Sequence, residues 1–269
     1  MDEPTERRMG VATRATMACA LVALLAAAIP AAAEVAQKGN VRVTVKGKIS
    51  PNKLPRAGAA PIAVSVGGEI STTDASMQPQ LSSLRIELNR NGRLRHAGLP
   101  VCKHSRIQPG STQRALAGCR PALVGKGGFS ANITLAGQEP YPTQGKLVVF
   151  NGMRNGKPVL FGHIYSAKPF ATSFVIVFTV SQRRSGPYGT VLDASLPKAM
   201  DAWGRLTGLQ MTLSRRYSVK GQRRSYISAG CPAPAGFSGA VFSMARISFA
   251  FADGKRISSV LSATCKVRG

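Results

Sequence analysis

An all-β fold, read as an antiparallel β-sandwich with jelly-roll-like connections and two disulfide staples, is predicted by three features of this chain. Apolar and polar residues alternate with period two in segment after segment. Turn dipeptides punctuate those segments, and helical periodicity is nearly absent. An even set of four cysteines follows a leader that reads as an export signal.

The leader comes first. Arg7, Arg8 and Arg14 make a basic stretch, Met17 to Ile29 is an apolar run, and Pro30 breaks it. Ala31 and Ala33 then supply the small side chains that cleavage before Glu34 requires. The run is too short for a membrane span. Residues 1–33 are therefore read as a signal peptide, and the protein as secreted, extracellular or associated with the cell envelope, with no membrane span after cleavage. Residues 34–269 form the β-sandwich domain. A finer division into two related halves, 34–165 and 166–269, is suggested by one shared spacing: Leu81, Leu84, Ile86, Leu88 and Arg90 match Leu206, Leu209, Met211, Leu213 and Arg215.

Strands follow in order. Val41, Val43 and Val45 alternate with Arg42, Thr44 and Lys46; Leu84, Ile86 and Leu88 alternate with Arg85, Glu87 and Asn89. The pattern returns at Phe129, Ala131, Ile133 and Leu135, then at Leu209, Met211 and Leu213, and again at Leu261, Ala263, Cys265 and Val267. Each predicts a strand with one buried and one wet face. Phe174 to Val180 is almost continuously apolar, which predicts a central strand covered on both sides. Asn91-Gly92, Asn151-Gly152, Asn155-Gly156 and Asp253-Gly254 are expected at hairpin turns, where positive φ is needed. One short helix is expected around Leu196 to Trp203, with Pro197 in its first turn and Asp193 and Asp201 as flanking caps.

Cys19 lies in the leader, which leaves Cys102, Cys119, Cys231 and Cys265. An oxidising compartment favours two disulfides over a zinc site, since no C-x-x-C pair is present. Four cysteines allow three pairings; nearest-neighbour pairing would close two loops, each stabilising by about 3–4 kcal/mol.

The segments 98–102 (GLPVC), 118–130 (GCRPALVGKGGFS), 147–152 (LVVFNG) and 230–234 (GCPAP) resemble a loose pattern in functionally uncharacterised exported proteins of high-GC Gram-positive bacteria. The resemblance implies an exported β-sandwich and carries over no catalytic residue.

Charge narrows the partners. The leader holds as many acids as cations, so the full net charge of +25 falls on the remaining chain. Such a field attracts polyanions and weakens with salt. Outside a cell these are wall polymers and acidic polysaccharides, and nucleic acid is disfavoured for want of a recognisable binding module. The densest cluster is Arg215, Arg216, Tyr217, Lys220, Arg223, Arg224 and Tyr226. A turn at Lys220-Gly221 would place five cations near one hairpin tip beside two stacking tyrosines. This cluster is the predicted anion-binding site.

Catalytic signals are thin. Ser195-Leu196-Pro197-Lys198 spells S-x-x-K without its companion motifs, and Gly236-Phe237-Ser238-Gly239 lacks nucleophile-elbow spacing. Gly125-Lys126-Gly127-Gly128 is followed by a strand and reads as a turn or bulge. His96, His104 and His163 are scattered, so neither a metal nor a cofactor is expected. The expected function is a secreted, non-enzymatic protein that binds anionic cell-envelope polymers or a surface partner. The alternatives are a secreted polysaccharide-active hydrolase, with carboxylates assembled from separate strands, and a purely structural surface component.

Overall fold

The computed structural model describes residues 33–135, 137–196 and 204–268. The chain is an antiparallel β-sandwich made by curling one large sheet. Strands β1 (Glu34–Lys38) and β2 (Val41–Ser50) form a hairpin, and the short β3 (Lys53–Leu54) and β4 (Ala60–Pro61) lead to β5 (Ala63–Thr72). Next come β6 (Leu81–Asn89) and β7 (Gly92–Leu94), then α1 (Thr112–Cys119), the one α-helix among the described residues. Strands β8 (Leu123–Ile133), β9 (Tyr141–Arg154), β10 (Lys157–Ser166), β11 (Thr172–Gln182) and β12 (Tyr188–Ser195) make a meander. The rest are β13 (Gly204–Leu213), β14 (Arg216–Val219), β15 (Gln222–Ser225), β16 (Ile227–Ala229), β17 (Gly239–Phe251) and β18 (Arg256–Val267).

The main sheet has the order β1-β2-β5-β13-β8-β9-β10-β11-β12-β6-β17-β18-β3. β5 and β6 are consecutive, as are β12 and β13, yet β5 pairs with β13 and β6 with β12. That nested pairing gives the sandwich its jelly-roll character. Curling brings β18 against β1 and β2.

Alternation explains the core. Val41, Val43 and Val45 are fully buried on the inner face of β2, opposite the side chains of β17 and β18. Approach across the core is close where glycine allows it: a Cβ on Gly68 of β5 would lie 2.9 Å from the ring of Phe249 on β17. The Phe174–Val180 strand is covered on both faces as expected, with Ile176 and Phe178 in the main core and Val175 in a second one. That second core forms where residues 102–122, α1 included, cover the outer faces of β9, β10 and β11.

The two disulfides are Cys102–Cys119 and Cys231–Cys265, with Cα separations of 5.4 and 5.7 Å. The first clasps the α1 segment over the second core. The second joins the chain after β16 to the last strand. Among the described residues no helix is long and apolar enough to cross a membrane.

Several local expectations change. Asn155-Gly156 is the β9–β10 turn, with φ of 51° and 70°. Asn151-Gly152, by contrast, lies inside β9, where the Asn151 carbonyl accepts from the Cys102 amide and its side-chain amide donates to the Pro100 carbonyl. A Cβ on Gly152 would sit 2.3 Å from the Phe161 ring, so this glycine serves packing rather than a turn. Asn91-Gly92 turns the chain, but β7 pairs with β16 instead of returning along β6. Asp193 lies within β12 and faces Arg85. The helix expected from Leu196 falls, beyond that residue, outside the described residues. Among the described residues the α-helix is α1, capped by the Ser111 hydroxyl accepting from the Arg114 amide.

Candidate functional site

β14 and β15 form the anticipated hairpin. Lys220 and Gly221 occupy its turn with φ of 50° and 76°, and Tyr217 lies opposite Arg224 while Ser218 lies opposite Arg223. The register sorts the cluster into two faces. Arg216, Ser218 and Arg223 are exposed on the outer one, with Lys220 at the tip. Tyr217, Val219 and Arg224 turn toward the loop after β7 and are half-buried. Tyr217 donates to the Arg95 and Ala97 carbonyls, at 3.2 and 3.1 Å. Arg215, just before the hairpin, is also half-buried.

The expectation for Tyr226 is corrected. Only 1 % of it is exposed, and its ring lies in the main core. The reason is backbone pairing: the Tyr226 amide donates to the Arg215 carbonyl, and its carbonyl accepts from the Arg95 amide. The chain has by then re-entered the body of the fold, and burial pushes the phenol well above its ordinary range. No pair of stacking rings therefore flanks the cations.

Tertiary structure adds cations in their place. Arg93 on β7 and Arg95 in the loop after it are both exposed, and that loop lies under the hairpin, with Gly98 so close to Val219 that a Cβ would approach its Cγ2 to 2.6 Å. No Asp or Glu occurs between Glu87 and Glu139, or between Asp201 and Asp253. The fold brings these two acid-free stretches together. Among the described residues, none of Arg93, Arg95, Arg215, Arg216, Lys220, Arg223 or Arg224 joins an ion pair. The sequence signal was present in the spacing of the acids, but only the β7–β16 pairing makes one patch of it.

Two of the acids lie together elsewhere. A groove of about 400 Å³ runs over the outer faces of β12, β6, β17 and β18, lined by Arg85, Glu87, Arg183, Asp193, Arg246 and Arg256 with three serines, Ser83, Ser248 and Ser258. Glu87 belongs to the polar face of β6, as its alternation predicts, yet its side chain is only 3 % exposed because two guanidiniums cover it. Arg246 donates through Nε to Glu87 Oε2, and Arg183 Nη1 lies 2.8 Å from Glu87 Oε1. The Arg246 guanidinium also sits 4.9 Å from the centre of the Tyr188 ring. Its hydrogen bond holds the Glu87 carboxyl below the usual carboxylate range. Asp193 is engaged by Arg85. A glycosidase acid needs its carboxyl shifted upward, so Glu87 is tuned in the opposite direction.

Among the described residues no group of three or more His, Cys, Asp and Glu side chains is placed to hold a metal ion. His163 is fully buried, with Nε2 3.0 Å from the Gly110 carbonyl. No family model, curated protein or solved structure matches this chain.

Proposed function

We propose that this protein is secreted, acts without catalysis, and binds anionic polymers of the cell envelope through the patch formed by the β14–β15 hairpin and the loop after β7. The observation that carries the reading is the meeting of two acid-free stretches, which leaves seven arginine and lysine side chains without a carboxylate partner among the described residues. Guanidiniums present planar forks to phosphate and carboxylate groups, and several on one hairpin act together on a repeating anion. Two disulfides and a strand-rich body suit an oxidising compartment.

The test is co-sedimentation of residues 34–269 with purified cell wall across a salt series, beside a variant carrying Arg216→Gln, Lys220→Gln and Arg223→Gln. These three side chains are exposed, so the melting temperature should move by no more than about 2 °C. Expected is wild-type binding that persists at ~0.5 M salt, where the Debye length is about 4 Å, and that the variant loses. Equal loss from both proteins at modest salt would overturn the patch as a shaped site.

A further inference from the structure

The groove on the main sheet is organised differently from the hairpin patch, and it has its own chemistry. Strand register places its side chains in adjoining rows. Asp193, Arg85, Ser248 and Ser258 are neighbours across β12, β6, β17 and β18; Val191, Glu87, Arg246 and Val260 form the next row. Rows two residues apart are separated by about 6.8 Å and adjacent strands by about 4.8 Å. The backbone positions of Arg85 and Arg246, one row and one strand apart, are thus about 8 Å from each other.

Each carboxylate in the groove engages part of a guanidinium and leaves donors over. Arg246 meets Glu87 through Nε, which leaves its two terminal nitrogens; Arg183 uses Nη1 and keeps Nη2 and Nε. Arg85 turns Nε and Nη2 to Asp193. Arg256 joins no ion pair among the described residues. The groove therefore holds four guanidiniums against two carboxylates, with one of those carboxylates buried beneath the arginines as their anchor.

We infer that this groove is a second binding site, for a phosphoryl oxyanion, with Glu87 as the positioning residue that fixes Arg183 and Arg246. A carboxylate ligand has two oxygens and fills one guanidinium fork. Donors arriving from the end of β11, from β6, from β17 and from β18, with three serine hydroxyls beside them, suit a group with more oxygens in tetrahedral array. Arginines already held by Glu87 and Tyr188 lose less side-chain entropy on binding. The inference deepens the polymer-binding reading by naming the chemical group, and rests on that reading only for the biological source of the phosphate.

The experiment is a thermal-shift titration of the protein with inorganic phosphate, and separately with a glycerol-phosphate oligomer, against acetate at matched ionic strength. Three proteins are compared: wild type, Arg183→Gln with Arg256→Gln, and the hairpin variant described above. Arg246→Lys, which keeps the charge on Glu87 while losing the fork, is the conservative fourth. Expected is stabilisation by both phosphoryl probes but not by acetate, with apparent affinity at least tenfold weaker in both groove variants and unchanged in the hairpin variant. The stronger of the two probes identifies free or polymeric phosphate as the source. Equal stabilisation by acetate, or an undiminished phosphate response in folded Arg183→Gln/Arg256→Gln, would overturn the site. The hairpin variant keeps the groove and the Arg183→Gln/Arg256→Gln variant keeps the hairpin, so comparing the two in both the phosphate titration and wall co-sedimentation lets either proposal fail alone.

Discussion

Glu87 and His163 give the protein two different sensitivities to acid. The folded-state pKa of Glu87 is lowered, first by its hydrogen bond from Arg246. Stability from such a group is fully present above its ordinary value, near 4.5, and is lost as pH falls through the lower folded value. Glu87→Gln should destabilise by about 1.5–3 kcal/mol at neutral pH, with the difference from wild type shrinking at strongly acid pH. Denaturant melts at several pH values measure this. His163 is lowered by burial, and the neutral ring donates to the Gly110 carbonyl. Its contribution is complete above about 6.5, the unfolded value, and declines as pH falls below it. His163→Gln keeps a donor for Gly110, so its stability should fall less between pH 7 and 5 than that of wild type. A parallel fall in both would sink this account. Tyr226 teaches a different lesson at the same scale. It reads as part of a basic hairpin because it is two residues from Arg224, yet the alternation changes register where the chain leaves β15 for β16. A composition-based cluster cannot see that boundary.

At the scale of the element, the hairpin is held by what lies beneath it. Gly98 has φ of 82° and abuts Val219. Gly98→Ala adds left-handed strain of about 1 kcal/mol or more together with a clash. It should loosen the hairpin, so trypsin should cut at Lys220 sooner while the global melting temperature moves little. Removing the Cys102–Cys119 bridge by paired serine substitution should cost about 2–4 kcal/mol and release amide protection first in residues 103–119, as read by hydrogen exchange. Most strands were legible because period two maps directly onto two faces of a sheet. The turns were legible only in part. Asn155, Gly156 and Gly254 adopt positive φ at chain reversals, and the Asp253 carboxylate accepts from the Lys255 amide as a turn residue does. Asn151-Gly152 has the same spelling but was claimed by a packing need, the Phe161 ring. Helix α1 spans eight residues and carries no acid in its first turn, so its main local signal was the Ser111 cap.

For the whole molecule, the unequal balance of charge sets the response to salt. With +25 on one chain, self-repulsion opposes compaction. Moderate sodium chloride should therefore raise the melting temperature, in contrast to its weakening of polymer binding; a flat response would show that the cations are too dispersed to matter. The groove was illegible in sequence for a topological reason. Arg85, Arg183, Arg246 and Arg256 belong to four separate segments, and only the order β11-β12-β6-β17-β18 makes neighbours of them.

That order has a temporal consequence. β6 is made well before its partner β17 and the covering β18, and the Cys231–Cys265 link needs β18 as well. A chain ending at Gly236 would leave β6 with an unpaired edge and the main core open on one side. It should remain unfolded by circular dichroism, unlike residues 34–269. The main core therefore closes only once β17 and β18 have been made, however early β6 appears.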